Sequence, residues 1–133
     1  YLIFVFNLKA EDNIIHNVSI IFSESLHPGP ITGRAYVMFS QKKNPEPRLQ
    51  MGNWFEPIPL FGTDIEDIDP EDEIRITNSD MGFPINHLKD LPSGKYYFQA
   101  FLNIYTNFIN ISLFLFDLAY NFSIIFLKYI NTI

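Results

Sequence analysis

Seven of the fifteen carboxylates in this 133-residue chain fall within ten residues: Asp64, Glu66, Asp67, Asp69, Glu71, Asp72 and Glu73. Closely spaced oxygen donors are what Ca²⁺ requires, and Asp64, Asp67 and Asp69 are the candidate ligands. An EF-hand loop needs glycine at its sixth position and glutamate at its twelfth, and this run has Pro70 instead. The plainer reading is a solvated turn whose charges keep a sheet edge from pairing with other chains. His16, His27 and His87 lie far apart in sequence, whereas zinc needs three or four converging ligands. There is no cysteine, no Gly-x-Ser-x-Gly elbow and no glycine-rich phosphate loop, and Ser93 sits in a turn. No catalytic residue, metal or cofactor is therefore assigned.

Aromatic residues offer the other chemistry. Trp54 with Phe55, and the alternating Tyr97, Phe101 and Tyr105, could form a platform for carbohydrate or peptide. They could equally pack against another domain, since interfaces are rich in Tyr, Trp and Phe. Net charge is −6, and of the nine basic residues only Lys42 and Lys43 are adjacent. That balance argues against nucleic acid and against an anionic membrane, which call for clustered Lys and Arg.

The elements that must position these residues read as strands parted by Gly and Pro turns. Val18, Ile20 and Phe22 alternate on one face. After the break at Pro28, Gly29 and Pro30, Ala35, Val37 and Phe39 form an apolar face opposite Arg34, Tyr36 and Met38. Residues 44–47 are too proline-rich for a central strand and should form a loop leading to an edge segment over 48–53. Residues 54–62, apolar but with two prolines, should be extended and irregular. Ile74 and Ile76 point inward from a short strand over 73–77. The turn Leu91, Pro92, Ser93, Gly94 launches a long strand with Tyr96, Phe98, Ala100, Leu102 and Ile104 toward the core. This spacing predicts an all-β fold, a Greek-key β-sandwich of immunoglobulin or transthyretin type, with one helical turn at most over 84–91.

Several spaced segments carry a family resemblance: residues 29–38 (GPITGRAYVM), 45–50 (PEPRLQ), 61–64 (FGTD) and 91–100 (LPSGKYYFQA). Together they resemble the N-terminal β-domain of secreted bacterial proteins of an esterase family with an α/β-hydrolase-like catalytic region. The resemblance spans about residues 18–108 and covers only the accessory domain. It implies a secreted or periplasmic location and a downstream hydrolase domain as partner. In that family the long strand continues into a polar segment; here it does not.

The chain thus divides in three. Residues 1–14 open with six apolar residues and read as a signal-peptide remnant or a first strand. Residues 15–108 are the β-sandwich. Residues 109–133 hold neither glycine nor proline, and twenty of the twenty-five are Ile, Phe, Leu, Asn, Tyr or Lys, types favoured when A/T-rich DNA is read in any frame. That tail is either a non-native, frame-shifted end to a truncated domain or a transmembrane helix. Residues 109–130 are long enough to span about 30 Å. Against the helix, Asp117 would lie near mid-membrane at a cost of about 2.5–3.5 kcal/mol. The expected function is a non-catalytic accessory module that packs on and positions a missing hydrolase domain. The alternative is a surface protein anchored by a C-terminal helix and binding carbohydrate or peptide, so that a membrane is a partner only if the tail is genuine.

Overall fold

The structure, a computed structural model, describes residues 6–11, 14–105 and 124–132. It is all-β: two antiparallel sheets with almost no helix. The first sheet has the order β1 (Phe6–Glu11), β2 (Ile14–Ile21), β5 (Glu73–Thr77). The second has the order β6 (Gly82–Phe83), β4 (Leu60–Ile68), β3 (Ile31–Ser40), β7 (Lys95–Ile104), β8 (Ile124–Thr132). Side chains from both sheets meet in one core, as strands with one apolar face each must do to leave water.

The inward faces follow the period-2 pattern of the sequence. Val18, Ile20 and Phe22 meet Ile74 and Ile76 from the first sheet, and Ala35, Val37, Phe39, Phe98, Ala100 and Leu102 from the second. Phe39 lies at the centre. Its ring meets Phe61 and Tyr96 edge-on, with centroids 6.0 and 6.1 Å away, and Phe98 at a tilt at 5.8 Å. Edge-on aromatic contacts of this kind add to the effect of burial alone.

Two irregularities adjust the phase. On β2, Asn17 pairs with Lys9 and Ile15 with Ala10, so His16 is an extra residue. Its insertion turns Ile15 inward alongside Val18, although their spacing is odd. On β4, Gly33 pairs with Ile65 but Ile31 with Ile68, which places a bulge at Glu66 and Asp67. Asp67 adopts φ 52°, a left-handed conformation that Asp tolerates better than most residues, and its N–H donates to Thr32 Oγ1 at 3.0 Å.

Several expectations are corrected here. The acidic run is not a free turn: residues 64–68 belong to β4, and the turn is confined to the residues before Glu73. Acids and a glycine hid that strand, because only Phe61 and Ile65 point inward firmly. The segment expected at a sheet edge over 48–53 begins instead as one helical turn, α1 (Pro47–Gln50), with proline at its start where a missing N–H does no harm. A 3₁₀ turn, Leu88–Asp90, does lie within 84–91. Within the tail, Ile124–Thr132 is a strand rather than part of a helix, pairing with β7 from Lys95 opposite Thr132 to Asn103 opposite Ile124. The rest of the tail before it, with Asp117, lies outside the described residues. Among the described residues no helix is long and apolar enough to cross a membrane. Phe6–Glu11, inside the segment read as a leader remnant or a first strand, is a strand.

Phe39→Ala should cost about 3–5 kcal/mol of stability, because a wholly buried ring leaves a cavity among three other rings. Urea unfolding measures this, and a loss below about 1 kcal/mol would contradict the placement of Phe39 at the core centre.

Candidate functional site

The five aromatic residues expected to act together fall on two separate surfaces. Tyr97, Phe101 and Tyr105 lie along the outer face of β7 and just beyond its end, whereas Trp54 and Phe55 lie in the long loop, residues 41–59, at the end of β3.

On the outer face, register sets Tyr36 opposite Gly62 on one side and Phe101 on the other. The Tyr36 and Phe101 rings stack with centroids 4.6 Å apart and 16° between planes. Gly62 makes room for this, since a Cβ there would lie 2.7 Å from the Tyr36 ring. Arg34 reaches over the same ring, its guanidinium carbon 5.6 Å from the centroid, and donates to Asp64 Oδ1 at 2.8 Å. Farther along, α1 covers the sheet. The Arg48 backbone N–H donates to Gln99 Oε1 at 2.8 Å, and Gln99 Nε2 donates to Glu46 Oε2 at 3.2 Å. Those bonds satisfy a buried amide, and the same cover buries Met38, which the sequence placed on the outer face. Tyr97 and Phe101 are half-buried, and Tyr105 is exposed. On β8, the positions of Phe126 and Ile130 continue this face opposite Phe101 and Tyr97.

The loop end is built differently. Ser40 Oγ donates to Gln50 Oε1 at 2.7 Å, and Gln50 Nε2 donates to the Pro45 carbonyl at 2.6 Å. Phe39 N–H donates to the Pro59 carbonyl at 2.8 Å. Asn53 Oδ1 accepts from the N–H groups of Phe55 and Glu56 at 3.1 and 3.3 Å, a side-chain-closed turn that fixes the backbone of the tip. Lys42 Nζ donates to Glu56 Oε2 at 2.8 Å and holds that carboxyl below the ordinary glutamate range, first by the hydrogen bond and then by charge. The loop is thus held by its own polar groups, yet Trp54 is 89 % exposed and Phe55 97 %. Leu49, Met51, Met81 and Phe83 are also exposed, and a hollow of about 170 Å³ lies between Met51, Trp54, Leu60 and Phe83. A larger cleft, about 480 Å³, runs alongside it between Phe39, Pro57, Ile85, Pro92 and Tyr96. The Tyr96 hydroxyl there donates to the Pro92 carbonyl at 2.8 Å and is already committed.

Sequence reasoning missed Met51 and Phe83 beside Trp54, Leu49 at the neighbouring cleft, and the exposure of Met81. The signal was weak: single apolar residues in proline- and glycine-rich stretches, with no period.

The acids do not assemble a metal site. Asp64 is turned to Arg34, Asp67 forms the corner of the bulge, and Asp69 lies in the turn beyond. Among the described residues no group of three or more His, Cys, Asp or Glu side chains converges. Glu73 is held below its ordinary range chiefly by a hydrogen bond from Ser19 and then by one from Arg75. His27 Nδ1 lies 3.2 Å from the Gly29 carbonyl and His87 Nδ1 2.9 Å from that of Asn78. Ser93 lies in the turn before β7.

Comparison of the chain with protein-family models, with curated proteins and with solved structures finds no match in any of the three.

Lys42→Met should raise the Glu56 carboxyl toward its ordinary value, because its hydrogen bond and its counter-charge leave together. A carboxyl NMR titration reads this, and an unmoved Glu56 would mean that the pair does not form in solution. Millimolar Ca²⁺ should leave the melting temperature unchanged, since a ligand of the native state must raise it. A calcium-dependent rise abolished by changing Asp67 and Asp69 to Asn would establish a site.

Proposed function

We propose that this chain is a non-catalytic β-sandwich module that works by attachment, the accessory part of a secreted or periplasmic hydrolase-like protein. The observation that carries the reading is the loop end. A loop braced by its own hydrogen bonds holds a Trp and a Phe almost wholly in water. Exposed apolar surface of this kind marks contact sites, and its upkeep against water calls for an occupant.

The strand order supports the immunoglobulin-like form of the sandwich. With β1, β2 and β5 as strands A, B and E, the order β4, β3, β7, β8 reads C′, C, F, G. The arrangement differs from the immunoglobulin one in having no strand D among the described residues and in the two-residue β6, which follows E in sequence and pairs outside C′.

The two aromatic surfaces divide the work. The outer sheet face, with Tyr36 stacked on Phe101 and Tyr105 in the open, is the side that packs on a joined hydrolase domain. The loop end is then free to hold the pair in place.

The purified chain should turn over no short-chain ester above buffer. Ester hydrolysis lost on Ser93→Ala would overturn the non-catalytic reading. Supplied separately, the hydrolase region encoded downstream should bind the chain, and Tyr105→Ala should weaken that binding. Phe101→Ala should weaken it further, by about 2 kcal/mol or more if the ring is an interface anchor. Unchanged binding in both variants would remove the sheet face from the contact.

A further inference from the structure

The fold separates the chain's charges in a way that the net value of −6 conceals. Strand β4 starts at Leu60 beside the aromatic loop and ends at Ile68, next to the acidic turn. Its nine residues span about 30 Å at about 3.3 Å each. Asp67, Asp69, Glu71, Asp72 and Glu73 therefore gather at the end of the sandwich away from Trp54 and Phe55. The loop, residues 41–59, carries three basic residues, Lys42, Lys43 and Arg48, against two acids, Glu46 and Glu56. Its acids are neutralised locally: Glu56 by Lys42 at 2.8 Å and Glu46 by Arg48 at 3.1 Å. Exposed Lys43 is the excess charge.

We infer that the loop end attaches the chain to an anionic lipid bilayer, with Trp54 and Phe55 inserting at headgroup depth and Lys43 meeting lipid phosphate. The inference rests on the attachment reading above and names the partner. The form of the loop favours lipid over a protein groove. Protein hot spots sit in packed pockets ringed by drier contacts. Here two adjacent rings stand out from a braced tip, flanked by Leu49, Met51 and Phe83. Trp is the residue that gathers at membrane–water interfaces, where an amphipathic ring is accommodated without full desolvation. The distant acids do not oppose this. At about 30 Å they lie between three and four Debye lengths away at physiological salt, where the length is about 8 Å, and they orient the acidic end outward.

Trp54 is the only tryptophan of the chain, so its fluorescence reports on the proposed contact alone. The probe is a vesicle of phosphatidylcholine and phosphatidylserine at about three parts to one. On titration into the full chain, Trp54 emission should shift to the blue and be quenched by brominated acyl chains. Phe55→Ser should lower the partition coefficient about tenfold, the effect of withdrawing one large apolar side chain. Lys43→Glu should lower it several-fold on anionic vesicles and leave neutral vesicles unaffected, and added salt should mimic that change. Emission that stays at the water-exposed position at high lipid overturns the inference. So does vesicle binding without quenching of Trp54 and unchanged by Phe55→Ser, which would place the lipid contact elsewhere on the chain. If Trp54 ignores vesicles but shifts on adding a polysaccharide, the lipid partner is wrong and the attachment reading stands. A shift on adding the downstream hydrolase region overturns the inference and moves the hydrolase contact from the sheet face to the loop end. Silence toward all of these would overturn both.

Discussion

Burial of β3 between its two neighbours is the constraint on which the rest of the molecule depends. It pairs with β4 from Ile31 to Met38 and with β7 from Gly33 to Ser40. Its inward residues Ala35, Val37 and Phe39 are wholly buried. The same strand sets both surfaces proposed to make contacts. Tyr36, one step out of phase with the core, supplies half of the stacked pair on the sheet face. Ser40, the last residue, anchors the loop through Gln50. A shift of one residue in β3 would exchange core for surface along the whole strand, so its register ties the hydrophobic interior to the outer chemistry.

The sequence disclosed the fold wherever period 2 was strong. The inward sets on β2, β3, β5 and β7 are those that alternation picks out, because each strand has one face in the core and the other available to polar residues. It failed where another rule prevailed. On β4 the outward positions are acids and a glycine, so the strand resembles a turn by composition while being held by its partners. At His16 a bulge changes phase, and Ile15 joins the core although it is out of step with Val18. Met38 is buried on the face that α1 covers, where the proline-rich loop after β3 folds back over the sheet, a return that period 2 does not encode.

The candidate surfaces were legible by residue type and not by grouping. Trp54, Phe55, Tyr97, Phe101 and Tyr105 stand out in any composition-based search, but which of them share a surface is decided by the course of the β3–β4 loop. Net charge, too, is an average that hides placement. An average of −6 does not say that Asp67, Asp69, Glu71, Asp72 and Glu73 gather at one end of β4, while residues 41–59 at the other carry three basic residues against two acids.

The internal bracing of the loop has a consequence for how such a chain can change over generations. Ser40, Gln50, Asn53 and Pro59 hold the loop through bonds made within it and to its own root, while the side chains at 54 and 55 have few neighbours. Substitution at the tip therefore leaves the sheet nearly untouched. Preference for one surface over another can drift there under selection while the scaffold beneath stays fixed, so the tip is the natural place for close relatives to diverge and for an engineer to graft a new specificity.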